Sequence, residues 1–153
     1  MNVIADRPRT AALPKYAEDT LRAGLLVLAA YHLALAAFMA IAPHAFYKAL
    51  GPFGPENVHY IRDNATFSAA LAAGLLVSIR HPGWRVPMLA VVTIQFVLHA
   101  LNHLLDIGKA HPAWVGYFDF ASLAASAAAL LWLLSLARRQ ARASRPRSKG
   151  DRP

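Results

Sequence analysis

Apolar residues fall in four long runs, at about 21–42, 60–80, 86–108 and 114–137, separated by short stretches rich in proline, glycine and charge. At ~1.5 Å per helical residue each run spans the ~30 Å hydrocarbon core of a bilayer, so the pattern predicts four transmembrane helices. The second run is the least apolar. Its uninterrupted part, Ala65 to Ile79, is too short alone, and recruiting Ile61 to Asn64 draws Arg62 and Asp63 to the membrane edge. Pro43 ends the first helix, His81-Pro82-Gly83 makes a tight turn, and Gly108 with Pro112 separates the last two helices. Short connections make neighbours antiparallel, and the expected fold is an all-α integral membrane four-helix bundle.

The longer connection, 43–59, carries Phe46, Tyr47, Leu50 and Phe53 among Gly51, Pro52, Gly54 and Pro55. Its first half suits either a short interfacial helix or a plain loop. Alanine-rich stretches, Ala69 to Gly74 and Ala124 to Ala129, supply small residues for close helix packing, with Ala70 and Gly74 at the spacing such a seam uses. Residues 1–20 mix Arg7, Arg9 and Lys15 with Asp6, Glu18 and Asp19 and lack the apolar core of a signal peptide, so the first apolar run reads as a retained helix. The last segment, 138–153, sets Arg138, Arg139, Arg142, Arg145, Arg147, Lys149 and Arg152 against Asp151 and is expected to be a disordered tail.

Composition agrees with lipid as the solvent. Only 16% of the 153 residues are charged, against ~25% in soluble domains, and four spans leave no room for a separate catalytic domain. With no cysteine, disulfides, thiolate zinc sites, iron–sulfur ligation and thiol chemistry are excluded. If both termini share a side, that side holds Arg7, Arg9, Lys15, Arg22, Arg80, Arg85 and the seven basic tail residues, 13 of the 16 Lys and Arg. The other side keeps Lys48, Arg62 and Lys109. The positive-inside rule then places both termini in the cytoplasm and the 43–59 and 108–113 connections outside. Rooted at a membrane, the basic tail suits anionic lipid and not nucleic acid. A second copy of the chain or another membrane protein is the further partner such a small bundle suggests.

The third run carries polar residues that lipid does not explain. Gln95, His99, Asn102, His103 and Asp106 fall within an arc of about 100° on one helix. Unpaired in lipid, each costs a few kcal/mol, so the stripe must face the bundle. Candidate partners are Arg62, Asp63 and Asn64 at the start of the second helix, Asp119 at the start of the fourth, and His32 midway along the first. Arg62 and Asp63 point about 100° apart, so each is expected to pair across helices. His32, alone on an apolar helix, reads first as a hydrogen-bonded packing residue.

Arg62-Asp63, the small-residue-rich helix after it, and His99-x2-Asn102-His103-x2-Asp106 near the end of the next helix resemble a group of small four-helix bacterial membrane proteins distantly similar to the DoxX-like superfamily. The resemblance covers about residues 22–137. Such relatives often place glycine after the Arg-Asp pair, where this chain has Ala65 and Thr66. The resemblance implies a four-helix fold in the bacterial inner membrane and brings no established reaction.

Four readings compete for the stripe. It is a register-fixing polar network, or a cavity open to the external side for a small ligand, a quinone headgroup or a proton. Alternatively, His99 and His103 at i, i+4 share a metal with Asp106, Asp63 or Asp119, or His32 with His99 or His103 ligates a haem. The expected function is a non-enzymatic ligand-binding protein or accessory subunit. The rival is a membrane oxidoreductase component holding metal, haem or quinone near His99 and His103.

Overall fold

A computed structural model of the chain describes residues 14–50 and 52–144. They form five α-helices and no strand: α1 (Lys15–Ile41), α2 (Pro43–Leu50), α3 (Val58–Arg80), α4 (Arg85–Leu105) and α5 (Ala113–Ala143). Proline sets several boundaries. Pro43, without an N–H to donate, opens α2 directly after α1. His81, held extended before Pro82, closes α3, and a 3₁₀ turn, Pro82–Trp84, leads into α4. Asn57 starts α3 by accepting a hydrogen bond from the Tyr60 backbone N–H at 3.2 Å.

α1, α5 and the Pro82–Leu105 segment are long and apolar enough to cross a membrane. α3 has the length, at 23 residues, but its first two turns carry His59, Arg62, Asp63 and Asn64 and its last residue is Arg80. Many large apolar side chains face outward on the three apolar helices, among them Leu26, Val27, Leu33, Val91, Ile94, Leu98, Leu131 and Trp132. Such a surface is foreign to a monomer in water and natural against lipid.

Some boundaries differ from the sequence reading. α1 begins at Lys15, not near residue 21, and α4 stops at Leu105, so Asp106 caps the helix instead of continuing its polar stripe. α5 continues to Ala143, which makes the first residues of the expected disordered tail helical, with Arg138, Arg139 and Arg142 exposed on it. Arginine and alanine are strong helix formers, so a helix already packed through Ala137 extends at little cost. The other tail residues, 145–153, and the first thirteen lie outside the described residues. Ala70 is exposed, and Gly74 faces the end of the Met88 side chain on α4, so the two do not form one seam.

The start of α1, the end of α3, the start of α4 and the end of α5 meet at one end of the bundle, so the long helices run up, down, up, down. The main core lies in this half: Leu21, Leu25 and Ala29 from α1, Leu71 and Leu75 from α3, Leu89, Val92 and Phe96 from α4, and Leu130, Leu133 and Leu134 from α5. Toward the other end only a small cluster continues, Met39 with Ile61 and Ala65, flanked by Leu35, Phe46 and Tyr47. Here α1 and α3 stay together and α4 stays with α5, but the space between the pairs is not filled.

Candidate functional site

Two polar clusters occupy opposite ends of the molecule. The first was not anticipated. Arg85, 2% exposed, reaches from the first residue of α4 to the Glu18 carboxylate, with Nη1 at 2.9 and 2.8 Å from its two oxygens. The same nitrogen donates to Gln140 Oε1 at 2.8 Å, while Nε and Nη2 donate to the carbonyls of Ser78 and Ile79 at 3.1 and 3.3 Å. The Gln140 amide in turn donates to Glu18. One guanidinium therefore ties together all four long helices, with the planar fork that makes arginine suited to buried pairing. In the sequence Arg85 counts as one more basic residue of a turn, and Glu18 and Gln140, 122 positions apart, give no sign of converging on it.

The second cluster lines a cavity of about 530 Å³ at the other end. α4 supplies Gln95, His99, Asn102 and His103, and Asp106 follows at its C-cap; α5 supplies Asp119 and Ser122; α3 supplies Asn64 and Ser68. These were the expected contributors, apart from the two serines. α1 adds Tyr31 and His32, and the 43–59 connection folds back to add Phe46 and Phe53. Phe53 meets the His103 ring edge to face at 4.9 Å. Phe67, Phe96 and Phe118 add further aromatic rings to the lining, interleaved with the polar groups. Tyr31, Phe67 and Phe118 also reach the outer surface, so the cavity is open at its edge.

Arg62 and Asp63 do not join it. Both are exposed; Asp63 pairs with His59 one turn back along α3 at 3.5 Å, and Arg62 takes part in no ion pair among the described residues. The reason is helix phase, because Ile61, Ala65 and Ser68 occupy the inward face and residues one and two positions after Ile61 are turned away from it. Asp106 pairs with Lys109 at 2.7 Å across the helix end. The expected ion pairs of Arg62 and Asp63 across helices are therefore replaced by a local contact and an exposed cation.

Within the cavity the polar groups are incompletely matched. His103 Nε2 and His99 Nε2 are 3.1 Å apart and share a hydrogen bond, and Gln95 Nε2 stands 3.5 Å from His99 Nδ1. His103 Nδ1 and Asp119 Oδ2 are 3.9 Å apart, beyond hydrogen-bond reach, and each is buried with no other partner. Gln95 Oε1 and both nitrogens of His32 are also buried without a partner. His32, only 3% exposed, sits between the rings of Tyr31 and Phe96 at 5.2 and 5.9 Å. The sequence reading of His32 as a hydrogen-bonded packing residue does not hold: its imidazole is packed but unbonded.

Buried orphans are rare in folded proteins and call for an explanation. A finished register-fixing network would leave none, whereas a binding site reserves its hydrogen bonds for an occupant. Among the described residues no group of three or more His, Asp or Glu is arranged to hold a metal ion. His99 and His103 do face one another, but Asp106 is paired with Lys109 and Asp63 is turned outward. No family model matches the sequence, and comparison with curated proteins and with solved structures finds no match.

Proposed function

We propose that this protein is an integral membrane protein whose four long helices all cross the bilayer and whose cavity binds a small molecule with an apolar body and a polar head. The observation that carries the reading is the set of buried, unpartnered polar atoms lining the cavity, on His32, Gln95, His103 and Asp119, among the aromatic rings of Tyr31, Phe53, Phe67, Phe96 and Phe118. Its volume lies within the ~300–1,000 Å³ of small-molecule sites. Bundle packing that stops at mid-height while a buried arginine holds the opposite end supports a fold kept open for an occupant. α3 then spans the membrane shielded by its neighbours, its polar first turns at the interface. Among the described residues, Lys15, Arg22, Arg80, Arg85, Arg138, Arg139 and Arg142 lie toward the Arg85 end against Lys48, Arg62 and Lys109 toward the other, an excess that supports a bacterial inner membrane with the Arg85 end in the cytoplasm and the cavity toward the outside.

The test is what the protein carries. Detergent-purified protein, extracted with organic solvent and analysed by mass spectrometry, is expected to release one small compound in near-stoichiometric amount, which Ser122→Phe protein, its cavity filled, lacks. Parent protein that releases nothing, together with a Ser122→Phe variant of equal or higher melting temperature, overturns the reading. A haem absorption band or stoichiometric metal in the same preparation assigns the site to the oxidoreductase class instead.

A further inference from the structure

The chemical class of the occupant follows from the polarity of what lines the cavity. No lysine or arginine is among the lining residues; the ionisable ones are Tyr31, His32, His99, His103, Asp106 and Asp119. Lys109, 2.7 Å from Asp106, neutralises that carboxylate at the rim, and Arg62 lies on the exposed face of α3. Asp119 is thus the carboxylate of the cavity without a lysine or arginine partner; the basic atom facing it is His103 Nδ1, at 3.9 Å and beyond hydrogen-bond reach. The unpartnered atoms point the same way. Gln95 Oε1 and Asp119 Oδ2 only accept hydrogen bonds, whereas a neutral His32 offers one accepting and one donating nitrogen and the free His103 Nδ1 takes either role with its tautomer. At 3.1 Å the hydrogen bond between His99 and His103 requires that one of them be unprotonated.

An occupant that satisfies Gln95 Oε1 and Asp119 Oδ2 must donate at least two hydrogen bonds. A carboxylate or phosphate head offers none and would meet Asp119 with like charge, and a hydroxyl offers a single donor. An ammonium offers three donors and the opposite charge. The remaining surface suits a cation too: the rings of Tyr31, Phe53, Phe67, Phe96 and Phe118 surround the cavity, and aromatic faces attract desolvated cations.

We propose that the cavity selects a small lipophilic amine in its ammonium form, its nitrogen held by Asp119 with Gln95 Oε1 as a second acceptor and its carbon body among the aromatic rings of the lining. This rests on the cavity being a ligand site and adds the sign of the ligand's charge. His32, deeper in the bundle, meets a second polar atom of the natural ligand or a water that enters with it.

The experiment compares three probes that share one carbon body: 4-phenylbutylamine, 4-phenylbutanol and 4-phenylbutyrate. Each is titrated calorimetrically at neutral pH into purified protein, with binding to empty micelles subtracted. The amine is expected to bind about tenfold or more tightly than the alcohol, and the carboxylate not detectably. Asp119→Asn is expected to bring the amine down to the affinity of the alcohol and to leave the alcohol unchanged; should that variant not fold, the ranking on the parent protein decides alone. Equal affinities for amine and alcohol, or a preference for the carboxylate, overturn the amine assignment while leaving a ligand cavity in place. Binding of none of the three also overturns it, and the compound released on extraction then decides separately whether the cavity is a ligand site.

Discussion

Single residues at the two ends of the bundle carry opposite kinds of polarity, and their substitutions should behave oppositely. Arg85 is nearly inaccessible and fully bonded, so removing its counter-charge strands a buried cation. Glu18→Ala is expected to lower stability by about 3–5 kcal/mol, whereas Glu18→Leu combined with Arg85→Met should recover part of that loss, because it removes the stranded charge while leaving Gln140 and the Ser78 and Ile79 carbonyls without their donor. Thermal unfolding in detergent followed by circular dichroism measures both; a double variant no more stable than Glu18→Ala would show that the clamp works by something other than paired charge. His32 has no hydrogen bond to lose. His32→Phe is expected to raise the melting temperature of ligand-free protein by an amount equivalent to about 1 kcal/mol, since a buried unpaired polar group is exchanged for an apolar one, and to weaken retention of whatever is extracted from the parent. A lower melting temperature in the same assay would mean that the imidazole is partnered in the folded protein.

At the scale of elements, the α4–α5 connection passes against the start of α5 by a close backbone contact at Gly116. A Cβ on Gly116 would stand 2.2 Å from the carbonyl oxygen of Ile107. Backbone has no rotamer with which to yield, so Gly116→Ala is expected to displace the segment that holds Asp106 and Lys109 and to cost about 1–3 kcal/mol. Gly74 contrasts with it. There a Cβ would meet the terminal atoms of Met88, at 2.6 Å from Cε, and a flexible methionine end moves aside cheaply. The melting temperatures of the two alanine variants check the difference; an equal loss would show that the connection adjusts as readily as Met88 does. Helix existence was legible in the runs of apolar residues, and the turns were legible in Pro43, Pro82 and Pro112. Helix ends were less so, because Asp106 and the basic residues after Ala137 belong to the periodic pattern or break it only by composition, while capping and packing decide where the hydrogen-bond ladder stops.

For the molecule as a whole, the orientation is open to a clean experiment because the chain has no cysteine. Ala49→Cys on α2 and Ser144→Cys after α5 both place an exposed thiol at opposite ends of the bundle. A membrane-impermeant maleimide added to intact cells is expected to label Cys at 49 and to spare Cys at 144; the reverse would turn the cavity toward the cytoplasm. Both labelled would mean that the chain crosses the membrane an odd number of times, with α3 the element left out of the span count.

The sequence by itself determined the helical class, the order of the long helices and a polar face on α4. These follow from local chemistry: apolar runs bury or meet lipid, proline interrupts hydrogen-bond ladders, and a fixed helical period places Gln95, His99 and His103 on one face. Only the tertiary structure decided which polar residues meet. Arg62 and Asp63 are as polar as Asp119, yet the rotation of α3, set by the burial of Ile61, Ala65 and Ser68, turns them out. The same holds for Arg85, Glu18 and Gln140, and for Tyr31, Phe53 and His32 around the cavity. Such contacts join positions remote along the chain, and rotation of a packed helix about its axis is a property of its neighbours, not of its own sequence.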